Sequence, residues 1–239
     1  MNEINNNQKI TAIVCAFNEE KTIRGVMYTL LASSWIDEVI AVDDGSIDGT
    51  AKILRDYQHL DRVKLFLLPE NHGKGYGMSL AAACAKGEVL CFVDADLVNL
   101  SEEHIAMMVE AFIREEADMV LGSPVRGMTV SSSERMDPFQ NLTGQRVLYR
   151  QDFLQLSDEI CTSGYGVETI LNEHYRKQGK RVHFMFLPYL IHPIKFEKVG
   201  LLKAIGEYLL EGRDILLIRW KKMHLFWQSV LLADHRNLD

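Results

Sequence analysis

The chain has 239 residues, of which 47% are hydrophobic and 25% charged, and its formal net charge is −7. This composition is typical of a globular protein, and the length is enough for one domain with a full core and a C-terminal extension. The acidic balance excludes a general nucleic-acid binder, because such proteins usually carry a basic surface.

Cysteine use and the N-terminus bear on the cellular compartment. The four cysteines include no Cys-x-x-Cys pair, and Cys15 and Cys91 lie in apolar runs, which indicates buried thiols in a reducing compartment. The N-terminus has no apolar signal-peptide core, and no uncharged run approaches the length of a transmembrane helix. The sequence therefore predicts a cytoplasmic protein, with residues 1–9 as a disordered polar tail.

Strand and helix patterns alternate through the first half of the chain. Strands are predicted at 10–16, 38–42, 63–68, from 89 up to Asp94, and at 119–122, and helices at about 21–33, 49–58, 76–85 and 102–115. This alternation is typical of β-α-β units, which build a mostly parallel sheet flanked by helices. The predicted fold class is therefore α/β.

The second half of the chain departs from this rhythm. A long loop is predicted at 123–144, helices at 147–156 and 167–178, and a strand at 182–187. Loops of this length are often functional. We expect one domain at 10–198, followed by a helical segment at 199–239.

Two carboxylates, Asp94 and Asp96, follow the apolar run that begins at Val89 and are separated only by Ala95. Such a run predicts a buried strand, and α/β sheets bind their ligands at the carboxyl ends of strands. Side chains two residues apart point to one side, so the carboxylates repel each other unless a cation lies beside them. A hard divalent ion that also binds diphosphate oxygens would relieve this repulsion. The alternative is an ordinary acidic turn.

Polar loops follow the first two predicted strands as well. Asn18 is predicted either to contact a nucleoside or to cap the first helix, with the latter favoured when the loop is taken alone. Asp44 is predicted either to accept a hydrogen bond from a base or sugar or to belong to a turn, whereas Asp48 is predicted to be a helix N-cap.

Glycines surround Lys74 in the segment Asn-His-Gly-Lys-Gly at 71–75, where a helix begins. Glycines let the backbone approach a phosphate, and the lysine supplies a point charge. The spacing excludes a Walker A loop, because no Ser or Thr follows the lysine.

The order of these segments is more specific than any one of them. Val-Cys-Ala-Phe-Asn-Glu-Glu, Val-Asp-Asp-Gly-Ser-x-Asp-Gly-Thr, Asn-x-Gly-Lys-Gly and Val-Asp-Ala-Asp-Leu resemble the family 2 type of glycosyltransferase with the GT-A fold, over residues 10–125. Looser similarity continues through Leu-Thr-Gly-Gln-Arg at 142–146 and Gly-Tyr-Gly-Val-Glu at 164–168. Similar segments occur in polyprenyl-phosphate sugar transferases and glucosyl-3-phosphoglycerate synthases.

The resemblance implies a donor site and a metal site that holds Mg²⁺ or Mn²⁺. The implied donor residues are Ala16, Phe17, Asn18, Glu19, Asp44, Lys74, Asp94 and Ala95. Asp96 is the implied direct metal ligand, and Asp94 is expected nearer the ribose or sugar. His192 either completes the metal site or is structural.

For the acceptor side, the resemblance implies Arg146, Lys195 and Glu168. Arg146 would bind an acidic acceptor or a donor phosphate, and Lys195 would contact either a phosphate or only solvent. Glu168 would bind sugar hydroxyls or act as a base, with Asp137 as a second candidate base. An ion pair between helices is the alternative for Arg146 and Glu168. The predicted catalytic residues are Glu168 and Asp94, and retention and inversion both stay open.

The segment at 199–232 combines broad apolar faces with the basic residues Arg219, Lys221 and Lys222. It is predicted either to lie on anionic lipid at the inner face of a membrane, or to pack on the core or in a homodimer interface. The predicted function is sugar transfer from a UDP- or GDP-linked donor to a lipid phosphate, a small molecule or a glycan. A non-catalytic nucleotide-sugar-binding scaffold or sensor is the alternative.

Overall fold

The computed structural model describes residues 8–128, 140–163 and 166–193. Its strands are β1 (Ile10–Ala16), β2 (Glu38–Asp43), β3 (Val63–Leu67), β4 (Val89–Phe92), β5 (Met119–Val125), β6 (Arg146–Tyr149) and β7 (Val182–Pro188). Its helices are α1 (Ile23–Ala32), α2 (Thr50–Arg55), α3 (Lys74–Cys84), α4 (Glu102–Arg114), α5 (Arg150–Leu154), α6 (Ser157–Cys161) and α7 (Val167–Lys177), with a 3-10 turn at Gln140–Leu142.

The seven strands form one mixed sheet in the order β3-β2-β1-β4-β6-β5-β7. Strand β6 runs antiparallel to both of its neighbours, and the other pairings are parallel. The chain places β2 and β3 on one side of β1 and β4 on the other. Ligands of open α/β sheets bind where the strand order reverses in this way, here above β1 and β4.

Helices cover both faces of the sheet, because strand side chains alternate in direction. On one face, Ala12 and Val14 pack in a core with α1 and α4. On the other face, Ile13 packs in a second core with α3 and α7. The predicted α/β class with a mostly parallel sheet is therefore confirmed.

The helix predicted at 147–156 is wrong at its start. Residues 146–149 form strand β6, and the helical chain begins only at Arg150. All four residues of β6 are buried, and a short run that is apolar throughout does not distinguish a buried strand from a helix. This segment forms a strand and not a helix because it fills the gap between β4 and β5 and pairs with both of them.

Several predictions concern residues outside the described ranges. These are the tail at 1–7, residues 129–139 of the loop predicted at 123–144, Asp137, Lys195 and the segment at 199–239. Among the helices of the described ranges, none combines the length and apolar character needed to span a bilayer. The four cysteines are free, and Cys91 is buried as predicted, whereas Cys15 is partly buried.

Candidate functional site

The loops after β1 and β2 are fastened to each other by reciprocal hydrogen bonds. The backbone N–H of Asn18 donates to Ser46 Oγ (2.9 Å), and Asn18 Oδ1 accepts from Ile47 N–H (2.9 Å). Asn18 adopts a positive φ of 58°, and the N-cap of α1 is Thr22. The prediction that Asn18 caps α1 is therefore wrong, because its side chain is used to join the two loops.

Asp48 strengthens the same junction. Its Oδ1 accepts from Thr50 N–H (2.9 Å) and its Oδ2 from Glu20 N–H (3.2 Å). These bonds hold the pKa of Asp48 below its usual value against the opposing effect of partial burial. The N-cap predicted at Asp48 is wrong, because the N-cap residue of α2 is Gly49, but Asp48 still accepts from Thr50 N–H in the first turn of this helix.

Asp44 joins the loop after β2 to the loop before α3. Its residue is 4% exposed, and its two oxygens accept from His72 N–H and Gly73 N–H, both at 2.8 Å. Next to it, Gly45 has a φ of +74° and lies so close to Glu70 that a Cβ would overlap the Glu70 backbone. Asp44 thus has a structural task, and its predicted contact with a base stays a prediction.

The other predicted nucleoside residues lie along the same edge of the sheet. Ala16 ends β1 and is buried, Asn18 and Glu19 are partly exposed, and the Phe17 side chain is 42% exposed. Ala95 is buried beneath the acidic motif. This edge therefore presents one aromatic ring and several backbone groups above β1.

Lys74 lies at the centre of the charged part of the site. It begins α3, and its Nζ atom is 2.8 Å from Asp94 Oδ1 and 2.7 Å from Glu168 Oε1. Burial alone would lower the pKa of Lys74, but the two carboxylates outweigh burial and raise it above its ordinary value. Lys74 therefore carries a positive charge at neutral pH and links Asp94 to helix α7.

Glu168 stands in the first turn of α7 with its side chain 11% exposed. The alternative of an ion pair with Arg146 is wrong, since the cation that contacts Glu168 is Lys74. The tertiary structure thus brings the two predicted catalytic residues, Asp94 and Glu168, into contact with the same lysine, Lys74.

A candidate metal site lies beside this lysine. Asp94, Asp96 and His192 each offer one ligand atom, and the three atoms lie within 4.8 Å of one another. His192 Nε2 is 3.2 Å from Asp96 Oδ2 and 3.9 Å from Asp94 Oδ2. Two carboxylates and an imidazole form a donor set that suits Mn²⁺ or Mg²⁺ with further oxygen ligands from a diphosphate.

His192 reaches this position through a local strand contact. Val98 and Ile191 exchange both backbone hydrogen bonds of an antiparallel bridge, at 2.9 and 3.0 Å. The bridge fastens the segment after β7 to the segment after Asp96. A histidine 96 residues from Asp96 is therefore held beside it by backbone contacts, which sequence spacing alone does not predict.

Arg146 is buried, with 1% of its surface exposed, and its guanidinium donates to groups of the protein. Its Nε donates to Thr143 O (2.8 Å), and its terminal nitrogens donate to Asn141 O (3.0 Å) and Asn172 Oδ1 (2.7 Å). Burial lowers the pKa of Arg146 to about 10, so the group stays charged at neutral pH. These contacts favour a structural role, and acceptor binding by Arg146 stays a prediction.

Two residues at Asp94 were not predicted as site residues. Gln145 Nε2 donates to Asp94 Oδ2 (2.8 Å), and Gly144 lies so close that a Cβ would overlap both carboxylate oxygens. Both residues belong to the Leu-Thr-Gly-Gln-Arg segment at 142–146, whose resemblance to the family was the available signal.

Comparison with known proteins assigns the family. The model of glycosyl transferase family 2 matches residues 11–183, which is well over half of the chain. The chain therefore belongs to glycosyl transferase family 2, and it is a glycosyltransferase by family.

Two curated relatives match a shorter part of the chain. An undecaprenyl-phosphate 4-deoxy-4-formamido-L-arabinose transferase of Aeromonas hydrophila is 33% identical over 108 residues, which are 43% of this chain and 33% of the relative. A 4,4'-diaponeurosporenoate glycosyltransferase of Staphylococcus aureus is 29% identical over 113 residues, which are 45% of this chain and 29% of the relative. This chain thus spans a third or less of the length of these relatives.

Solved structures share the fold over most of the chain. Glucosyl-3-phosphoglycerate synthase from Mycobacterium tuberculosis with Mn²⁺ and UDP-glucose has a TM-score of 0.67 at 22% identity, over 89% of this chain and 79% of that one. The same enzyme with Mn²⁺, UDP and phosphoglyceric acid has a TM-score of 0.66 at 22% identity, over 88% and 76%. This likeness confirms the GT-A fold.

Proposed function

We propose that the protein transfers a sugar from a UDP- or GDP-linked donor, with Mg²⁺ or Mn²⁺ bound by Asp96, Asp94 and His192. The observation that carries this proposal is the cluster of these three side chains at the carboxyl end of β4, beside Lys74. Lys74 pairs with Asp94, but the carboxylates of Asp94 and Asp96 still repel each other, and a divalent ion with diphosphate ligands would relieve this repulsion.

The chemical task at this site is the departure of a nucleoside diphosphate. A bound metal ion would act as a Lewis acid that stabilises the negative charge developing on the diphosphate. Lys74, which contacts Asp94, would add a positive charge near the same groups, and the loops after β1 and β2 would hold the nucleoside against the exposed Phe17. The glycosyl carbon then develops oxocarbenium-like character, by analogy with glycoside hydrolysis.

Glu168 is the proposed acceptor-side residue. Its carboxylate is 2.7 Å from Lys74 Nζ, so it shares this lysine with Asp94 and would lie beside a donor sugar bound there. There it either accepts hydrogen bonds from sugar hydroxyls or removes a proton from an acceptor hydroxyl as a general base. An acceptor that is already an ionised phosphate needs no base, and Glu168 would then act through the hydroxyl contacts alone.

The acceptor belongs to the proposal as a class: a lipid phosphate, a small molecule or a glycan. The curated relative of Aeromonas hydrophila is by name a transferase that acts with undecaprenyl phosphate, which supports the lipid-phosphate choice for this chain. A cytoplasmic location, peripheral membrane contact through 199–232 and homodimer formation remain predictions on which the described residues give no further support.

A thermal-shift panel tests the donor side directly. The protein is melted with UDP, GDP, UDP-sugars and GDP-sugars, each with Mn²⁺, with Mg²⁺ or with EDTA. A ligand at 100 times its dissociation constant stabilises the folded protein by about 2.7 kcal/mol, which is readily seen as a shift in Tm. A shift that needs the metal identifies the nucleotide. A clean melt without any shift would contradict the proposal, and a shift without donor hydrolysis would favour the non-catalytic scaffold.

A further inference from the structure

The two carboxylate oxygens of Asp94 face different partners, and the proposed reaction uses both contacts. Oδ1 lies 2.8 Å from Lys74 Nζ, and Oδ2 lies 3.9 Å from His192 Nε2. A rotation of this carboxylate about its Cβ–Cγ bond would exchange or misalign these contacts. Some other group must therefore fix the rotation if both contacts are to persist.

Gln145 supplies the contact on the metal-facing oxygen. Its Nε2 donates to Asp94 Oδ2 at 2.8 Å, and Gln145 itself is buried, with 1% of its surface exposed. The orientation of the amide follows from chemistry, because the reverse orientation would set the amide oxygen against an ionised carboxylate oxygen. Gly144 closes the other side, since its lack of a Cβ lets the backbone lie against the carboxylate.

We propose that Gln145 is a positioning residue of the metal site: its amide holds the Asp94 carboxylate with Oδ1 towards Lys74 and Oδ2 towards His192 and Asp96. This inference rests on the proposed function, because it assumes that these groups bind a metal ion and a donor. It adds a residue that touches neither the metal nor the sugar and acts only through Asp94.

The amide of Gln145 is itself held in place from the interior of the sheet. Its Oε1 contacts the Thr143 hydroxyl, which also lies 2.7 Å from the carbonyl oxygen of Gly122 in β5. The Gly122 N–H donates to Gln145 O (3.0 Å), so β5 fixes both ends of the Thr143–Gln145 segment. Arg146 completes this support through its 2.8 Å bond to Thr143 O. The segment that leads into the antiparallel strand β6 thereby holds the Gln145 amide beside Asp94, after the end of the parallel strand β4.

Residues that orient metal ligands by hydrogen bonds change metal affinity by about 10- to 100-fold when they are replaced. We therefore expect Gln145→Met, which keeps the length of the side chain and removes both polar ends, to weaken Mn²⁺ binding by about this factor. Thr143→Val removes the hydroxyl at Gln145 Oε1 and is expected to have a smaller effect in the same direction, whereas Thr143→Ser keeps the hydroxyl and is expected to retain the parent affinity.

The experiment measures Mn²⁺ binding by electron paramagnetic resonance, with and without UDP, on the full chain. Gln151→Met is the matched control, because Gln151 is exposed on α5. Melting temperatures are measured in parallel, since a merely structural role would lower Tm and leave the Mn²⁺ dissociation constant of the folded protein unchanged. Gln145→Met is also combined with Asp94→Asn, and there it should cause no further loss of affinity, because Gln145 acts through Asp94.

The outcomes separate this inference from the proposed function. Mn²⁺ binding by the parent protein together with an unchanged dissociation constant in Gln145→Met would overturn the positioning role and leave the proposed function standing. A further loss in the Asp94→Asn background would also overturn it, because Gln145 would then act independently of Asp94. Failure of the parent protein to bind Mn²⁺ with or without UDP would overturn both.

Discussion

Two groups of acidic side chains, at opposite ends of the parallel strands, have different partners. At the edge where the parallel strands begin, each acid has its own donors: Glu38 accepts from Thr11 Oγ1 and Lys86 N–H, both at 2.8 Å. At the edge where they end, Asp94, Asp96 and Glu168 crowd around Lys74 and His192.

Asp152 is a second acid near the edge of the sheet where the parallel strands begin. It follows β6 at the point where that strand pairs with the start of β4. Its oxygens contact Lys180 Nζ at 2.6 Å and Tyr175 OH at 3.2 Å. Separate acids with matched donors stabilise a fold, whereas acids that share few cations lower stability and are typical of ligand sites.

Asp96→Asn should abolish metal-dependent binding of the donor. The substitution keeps the shape of the side chain and removes the charge that attracts a divalent ion, which is worth several kcal/mol, or about 100-fold or more in affinity. Calorimetric titration of UDP in Mn²⁺ measures this loss, and an unchanged Tm without metal controls for folding. If donor affinity were unchanged, the assignment of Asp96 to the metal would be wrong.

Glu168→Gln should reduce sugar transfer far more than donor binding. A general base contributes about 10²- to 10⁴-fold to rate, and the neutral amide cannot accept a proton. Release of nucleoside diphosphate measures turnover, and the thermal shift with donor measures binding in the same samples. Equal losses in the two measurements would assign Glu168 to the donor side.

Asp152→Asn should lower the free energy of unfolding and leave donor binding unchanged. The carboxylate is buried, and its replacement by an amide weakens its contacts with Lys180 and Tyr175. Losing one partner of a buried polar contact costs about 1–3 kcal/mol, and Lys180 is exposed enough to be partly hydrated. Urea unfolding measures this loss. A reduced affinity for the donor would contradict the proposed division between acids that stabilise the fold and acids that bind the ligand.

Tyr175→Phe should cost about 1 kcal/mol near neutral pH, because it removes one hydrogen bond to Asp152. Burial, and then the charge of Asp152, raise the pKa of Tyr175 above its ordinary value. In the unfolded chain this tyrosine ionises near pH 10, so its contribution to parent stability falls as pH rises above about 10.

Phenylalanine cannot ionise, so the difference in stability between Tyr175→Phe and the parent should shrink above that pH. Urea midpoints at pH 7.5 and at pH 10.5 or above measure it. A difference that stayed constant or grew with pH would contradict the burial argument for Tyr175.

The order of β-α-β units was readable because each strand is a short apolar run that ends in polar residues. Asp94 and Asp96 were identified in this way, and their position at the carboxyl end of β4 is confirmed. The capping role favoured for Asn18 failed because its local sequence fits a helix cap as well as a loop junction. The partner of Asn18 Oδ1 is Ile47, 29 residues away, which no local pattern includes.

Strand β6 marks a second limit. Its four residues are buried on both faces, so they carry no alternation from which a strand could be predicted. The same limit applies to Gln145, since a glutamine before an apolar run has no local feature that ties it to Asp94. Its role follows only from the hydrogen bond across the sheet.

Local sequence is enough to predict the α/β class and the position of the acidic motif after β4, because these depend on side chains close together in the chain. The tertiary structure decided which cation serves those acids and which distant groups stand beside them. Lys74 meets Glu168 across 94 residues, and His192 reaches Asp96 through the Val98–Ile191 bridge. Such contacts form only when strands from distant parts of the chain pair, so pairing, and not local preference, assembles the site.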